Sequence, residues 1–158
     1  MALEIERKFL VRGDHWRAVP GTYICQGYLN RDTQRTVRVR IAGDAAWLTV
    51  KGISSGAVRA EFEYPIPVED ARQLLALCEP PLIEKHRHVI PFGGFSWEVD
   101  EFLGENLGLV VAEIELESED QAFERPEWVG EEVTHDARYF NSSLASSPYQ
   151  GWKPASQA

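Results

Sequence analysis

Apolar and polar residues alternate along residues 3–11 so that one predicted strand has two different faces: Leu3, Ile5 and Phe9 on one side, Glu4, Glu6 and Lys8 on the other. The same two-residue spacing returns as Arg38 and Arg40, Thr49 and Lys51, Glu61 and Glu63, Lys85 and Arg87, Glu98 and Asp100, and Glu113 and Glu115. Largely apolar residues stand between and beside them, including Val37, Val39, Leu48, Val50, Trp97, Val99, Ala112 and Ile114. Turn residues such as Pro20-Gly21, Arg31-Asp32-Thr33 and Gly43-Asp44 divide the pattern into strands predicted at 3–11, 23–30, 36–41, 46–51, 59–66, 83–90, 95–102 and 109–117. The second to fifth, joined by short turns, make an antiparallel meander.

Helical spacing appears over 68–78, where Ala71, Leu74, Leu75 and Cys78 share one face; Pro80-Pro81 ends this helix, which should pack on the outside of the sheet. Ser118-Glu119-Asp120-Gln121 resembles a capping box opening a short helix that runs to Pro126. Thr134 is the expected N-cap of a last helix reaching Ser146, with Ala137, Phe140 and Leu144 on one face. Residues 1–147 read as one domain, and 148–158 as a loosely ordered tail in which Tyr149 and Trp152 are candidates for packing.

Apart from the first strand, each charged pair is all acidic or all basic. Like charges on one strand repel, which is costly unless opposite charges on other strands, a metal or a ligand compensate. The pattern therefore favours a closed or nearly closed sheet with a charged tunnel inside and helices outside. Carboxylates offer hard oxygens suited to Mg2+ or Mn2+. Arginine grips phosphate through a planar fork and lysine as a point charge, which makes Lys8, Arg38, Arg40, Lys51, Lys85 and Arg87 a candidate phosphate clamp. Glu61, Glu63 and Glu98 can orient those bases in the empty tunnel, with Glu61 and Glu63 counted at the substrate site. Arg59 shares their face but sits near a loop and ranks lower. The count of about eight acids against six bases makes the expected empty tunnel slightly negative, so metal and substrate should support each other's binding. His86 and His88 have ligand-like spacing, but strand parity places them outside, and His15 and His135 fall in surface contexts.

This ordered set of pairs, opening with Glu4-Ile5-Glu6-Arg7-Lys8, resembles the Glu-x-Glu-x-Lys signature of the CYTH superfamily, the triphosphate tunnel metalloenzymes, over about residues 2–144. The resemblance implies an α+β protein built on an eight-stranded antiparallel β-barrel that binds triphosphates with divalent metal. It implies Glu4, Glu6, Glu113 and Glu115 as metal ligands, with Asp100 a further candidate. It also places Lys8 and Tyr28 near the attacking water.

Composition narrows the setting. At 158 residues the chain suits one domain, and 44% hydrophobic with 26% charged residues is usual for a soluble globular protein. A net charge of −9 disfavours a nucleic-acid partner, while the gathered bases still serve a small anion. No apolar run reaches membrane-span length and no signal-peptide pattern opens the chain, which points to the cytoplasm and to no membrane partner. Two cysteines, Cys25 and Cys78, support neither a disulfide framework nor a zinc cluster. The expected function is metal-dependent hydrolysis of a linear triphosphate, foremost inorganic tripolyphosphate. A class IV-type adenylyl cyclase, a thiamine triphosphatase and a noncatalytic polyphosphate-binding module are the alternatives, and a homodimer is compatible with all of them.

Overall fold

The alternating segments form β1 (Leu3–Val11), β2 (Thr22–Asn30), β3 (Arg35–Ala42), β4 (Ala45–Gly52), β5 (Val58–Ile66), β6 (Ile83–Phe92), β7 (Phe95–Phe102) and β8 (Val110–Glu115) in a computed structural model that describes residues 3–152. Every pairing is antiparallel, and neighbours run β5-β4-β3-β2-β6-β7-β8-β1. The sheet closes because the first residues of β1 also pair with β5, Glu4 opposite Arg59. Closure removes the exposed edges of an open sheet. The result is an eight-stranded antiparallel barrel. Gly93 and Gly94, both at positive φ (60° and 82°), make the two-residue turn between β6 and β7, a backbone that residues with a Cβ rarely adopt.

Parity sorts the core into three regions. The outer faces of β1, β7 and β8 bury Phe9, Trp97, Val99, Ala112 and Ile114 under Trp16 and the 116–129 segment. Fully burying a side chain such as Phe9 stabilises by roughly 1.5–3 kcal/mol. Helix α1 (Val68–Leu77) covers the outer faces of β2, β3 and β4, with Ala71, Leu75 and Cys78 against Val39 and Ala46, as its spacing predicts. Gly27 permits this approach, since a Cβ there would stand 2.7 Å from Leu82 Cδ2 and 2.9 Å from Cys78 Cβ.

The third region lies inside. Tyr28, Ile83, Phe102 and Val111 share strand faces with the charged residues, yet they form an apolar cluster with Val133, Tyr139, Leu144 and Ala145. Here α2 (Asn141–Ser146) caps one end of the barrel instead of lying on its outside. The tunnel is a cup with an apolar floor.

Three expectations for the C-terminal third change. Residues 118–126 form turns and extended chain instead of a helix: Ser118 Oγ bonds Asp120 and Gln121 Oε1 accepts from Glu117 N, so the capping groups are spent locally. Phe123 meanwhile packs on Phe9 and Trp97. A ninth strand, β9 (Val129–Glu132), pairs with β1 beyond the point where β5 departs. The expected 134–146 helix is split into a 3-10 turn, Ala137–Tyr139, and α2, with extended Phe140 between them. Thr134 is no N-cap; its hydroxyl is bonded to Lys8 N and Glu132.

Tyr149–Gly151 forms a further 3-10 turn, and Trp152 packs edge-on against Tyr139 and Tyr149 at 5.2 and 5.1 Å. Of the expected loose tail, residues 153–158 lie outside the described residues. No helix among the described residues is long and apolar enough to cross a membrane.

Candidate active site

The cup encloses a cavity of about 220 Å³. Its wall holds Glu4, Glu6, Lys8, Tyr28, Arg38, Arg40, Lys51, Glu61, Glu63, Lys85, Arg87, Glu113 and Glu115, and thus every residue expected at the site except Asp100. The adjacency of β1 and β8 sets Glu6 opposite Glu115 and Lys8 opposite Glu113. Two strands far apart in sequence thereby bring four carboxylates together.

The acids crowd one another. Burial and the charges of Glu113 and Glu4 raise Glu6 well above the usual carboxylate range. Burial works against the Glu113 carboxylate too, but Lys8, a hydrogen bond with Glu6 and Arg87 bring it well below that range. Of the two neighbours, Glu6 therefore binds a proton more readily than Glu113. Glu115 is raised by burial and by Glu4. Such mutual repulsion is what a divalent cation relieves. The donors are all carboxylate oxygens, which fit Mg2+ or Mn2+. Among the described residues no three potential ligands already converge as a cage. Mg2+ commonly needs only one or two protein carboxylates, with waters and substrate phosphates completing its shell, so Glu4, Glu6, Glu113 and Glu115 remain a suitable set.

Most cations are held by acids. Lys51 Nζ lies 3.0 Å from Glu4 and 3.5 Å from Glu61. Arg38 meets Thr49 at 3.2 Å and Glu63 at 3.6 Å, while its Nε is buried without a partner. Burial disfavours the Lys8 ammonium, yet Glu113, 3.6 Å away, and Glu6 outweigh it, so its pKa ends above the ordinary lysine value. Lys8 also donates to the Tyr139 carbonyl at 3.1 Å. Tyr28 lines the cavity beside the floor and lies opposite Arg38 in the β2–β3 register.

Asp100 stands behind the wall. It is 1% exposed, it receives two bonds from Arg87 at 2.8 and 2.9 Å, and Lys85 Nζ is 2.8 Å from Oδ2. Its burial penalty is outweighed by Arg87 and Lys85, and its pKa falls to about 2. Lys85 itself is lowered to about 7, chiefly by burial. The pair is best described as an ion pair whose lysine holds its proton less firmly than one in water.

Two cations stand apart. Among the described residues, neither Arg40 nor Arg59 has a carboxylate within 4.0 Å; Arg40 Nε donates to Gln26 at 2.8 Å and Arg59 Nε to the Gly52 carbonyl at 3.1 Å. Burial and the neighbouring charges of Arg38 and Arg87 lower Arg40 to about 9, a strain that an incoming anion removes. With Arg59 on the wall and Asp100 behind it, seven acids face seven bases. The expected negative tunnel is instead balanced by formal charge.

A model of the CYTH domain matches residues 2–149. The chain belongs to the CYTH family. A relative from Acetivibrio thermocellus named an inorganic triphosphatase is 52% identical over 155 residues, spanning 97% of this chain and 99% of that one. A second, from Nitrosomonas europaea and named likewise, is 40% identical over 152 residues, spanning 91% and 97%. A crystal structure described as that of an inorganic triphosphatase superposes with a TM-score of 0.65 at 36% identity, over 89% of this chain and 96% of that chain.

This CYTH chain also presents cavity residues beyond the predicted site set. Arg59 and Glu98 were legible by parity with their neighbours, and both line the cavity. Thr36, Ser54, Thr134, Phe140, Asn141 and Ser142 line it as well. The last four come from the C-terminal segment, whose place at the cup's end had no local signal. His86 and His88 lie outside, His88 bonded to the Val19 carbonyl and His86 partly exposed near Glu101.

Proposed function

We propose that the protein hydrolyses a linear triphosphate, foremost inorganic tripolyphosphate, with Mg2+ or Mn2+. The observation that carries this reading is the arrangement of opposed charges around a short blind cavity, where acids of β1 and β8 meet bases of β3, β4 and β6. The names of the relatives support the same substrate class.

A bound Mg2+ or Mn2+ would be held by Glu4, Glu6, Glu113 and Glu115, where it would neutralise phosphate charge and acidify a nearby water. Arg40 supplies a guanidinium with no acid partner, and Arg38, Lys51, Lys85 and Arg87 exchange part of their bonding to carboxylates for phosphate oxygens. These fixed donors stabilise charge that builds on the departing pyrophosphate. The water oxygen bonds to the terminal phosphorus in line as the bridging P–O bond breaks, giving phosphate and pyrophosphate. Lys8, 3.6 Å from Glu113, serves as an ammonium that orients water or phosphate. Tyr28 lines the same space, and its hydroxyl relays the proton of the attacking water to a phosphate oxygen of the products.

The test is kcat/KM for tripolyphosphate against pyrophosphate at saturating Mg2+ or Mn2+. Pyrophosphate leaves at least one cation unpaired, a contact worth about 1.5–3 kcal/mol, so a preference of roughly ten to a hundredfold is expected. A ratio near one overturns the three-phosphate clamp. Incubation with ATP followed by separation of phosphate, pyrophosphate and cyclic nucleotide distinguishes hydrolase from cyclase. Binding without any product points to the noncatalytic module.

A further inference from the structure

One amide on the capping helix links the two halves of the cationic wall. Asn141, the first residue of α2, presents Oδ1 at 3.0 Å to Gln26 Nε2 and at 3.0 Å to Lys85 Nζ. Gln26 and Lys85 are both fully buried. Gln26 Oε1 accepts from Arg40 Nε at 2.8 Å, and Lys85 is paired with Asp100, which holds Arg87. Chemistry fixes both amide orientations. A lysine ammonium and an arginine guanidinium can only donate, so Asn141 must turn its oxygen to Lys85, and Gln26 must turn its oxygen to Arg40 and its NH2 to Asn141.

The opposite corner of the Asn141 amide is its NH2. Among the described residues this group donates no hydrogen bond to the protein, and Asn141 lines the cavity. We infer that Asn141 is a substrate-contacting residue whose NH2 donates to a phosphate oxygen while its carbonyl oxygen positions Gln26 and Lys85. A neutral donor here adds a contact without adding to the repulsion between Arg40 and its cationic neighbours. The capping segment thereby completes the phosphate site as well as sealing the barrel.

The inference rests on the triphosphate reading, and the experiment separates the two. Asn141→Asp keeps an oxygen for Gln26 and Lys85 but replaces the inward NH2 with a carboxylate oxygen that repels phosphate. Asn141→Ala removes both functions. Steady-state kinetics with tripolyphosphate, calorimetric Kd for tripolyphosphate and melting temperature are measured for each.

Asn141→Asp is expected to melt with the wild type yet raise KM and Kd by about tenfold or more, the worth of one hydrogen bond to a charged group. Asn141→Ala should show a smaller rise in KM together with a fall in kcat, as Gln26 and Arg40 lose their support. Wild-type KM and Kd in Asn141→Asp overturn the inference. Equal losses in both variants accompanied by lowered melting also overturn it, since they mark a structural anchor alone. If Asn141→Asp does not fold, Asn141→Ala, which has no donor at this position, must show the KM increase on its own. A wild-type protein that neither binds nor cleaves tripolyphosphate refutes the triphosphate reading instead.

Discussion

Arg87 grips Asp100 through two hydrogen bonds, Nε to Oδ1 at 2.8 Å and Nη2 to Oδ2 at 2.9 Å, in a pair almost wholly removed from water. Lys85 Nζ forms an ion pair with the same carboxylate at 2.8 Å. This makes Asp100 a support for the clamp. Asp100→Ala leaves the buried Lys85 without a carboxylate, while Arg87 keeps Glu98 and Glu113 at 3.4 and 3.3 Å, and it is expected to cost about 3–5 kcal/mol of stability, measured by denaturant unfolding. Activity should fall without a change in the metal concentration giving half-maximal rate. A large shift in that concentration would return Asp100 to the metal ligands.

Glu115→Gln removes one carboxylate charge with little change of shape. Glu115 has no basic partner within 4.0 Å among the described residues, so the substitution leaves no cation stranded. The variant is expected to fold normally and to need more Mg2+ or Mn2+ for the same rate, read from a metal titration at fixed tripolyphosphate. Full turnover of the wild type in excess chelator would refute the metal assignment altogether.

Parity predicts opposite fates for Arg40 and His86. Arg40→Ala deletes a cavity cation that has no acid partner, and kcat/KM for tripolyphosphate should drop by about tenfold to a hundredfold, as for loss of a 1.5–3 kcal/mol contact. His86→Ala, on the outer face, should remain within about twofold, under roughly 0.5 kcal/mol. The reverse order would mean that the inner and outer faces of β3 and β6 had been exchanged.

Outside the cup, Arg7 donates to Glu132 at 2.8 and 2.6 Å, and Thr134 adds a bond at 2.6 Å. These hydrogen bonds, led by those from Arg7, bring Glu132 to about 2 from an ordinary value of 4.5. Its folded pKa is depressed, so the stabilisation is present above about pH 4.5 and lost as pH falls through that value toward 2. Wild type and Glu132→Gln should therefore differ in melting temperature at pH 6, with the difference shrinking below about pH 4.5 and closing only as pH reaches about 2. A difference that stayed constant over this range would show that the ionised pair contributes nothing.

Strand-period alternation made β1 to β8 and the sidedness of their charges readable from the chain, because a side chain's face in a strand depends only on odd or even position. Glu4 and Glu6, Arg38 and Arg40, and Lys85 and Arg87 all line the cavity for this reason. Helix α1 was readable for a similar reason, its four apolar positions lying on one stripe. What parity does not encode is partnership. It placed Asp100 on the inner face but not behind Arg87, and it gave Arg59 no rank over its neighbours, since which charges meet depends on strand register and distance. The end of the barrel was hidden most deeply. Val129–Glu132 becomes a strand only because β1 offers an unpaired edge there, and Thr134 leaves its expected capping role for a bond with Lys8 N. Asn141 reaches the cationic wall only after Leu144 and Ala145 settle on Tyr28, Ile83 and Phe102. Local periodicity determined the two faces of each strand; long-range packing, joining residues more than a hundred positions apart, decided where the cup ends and which groups complete its floor.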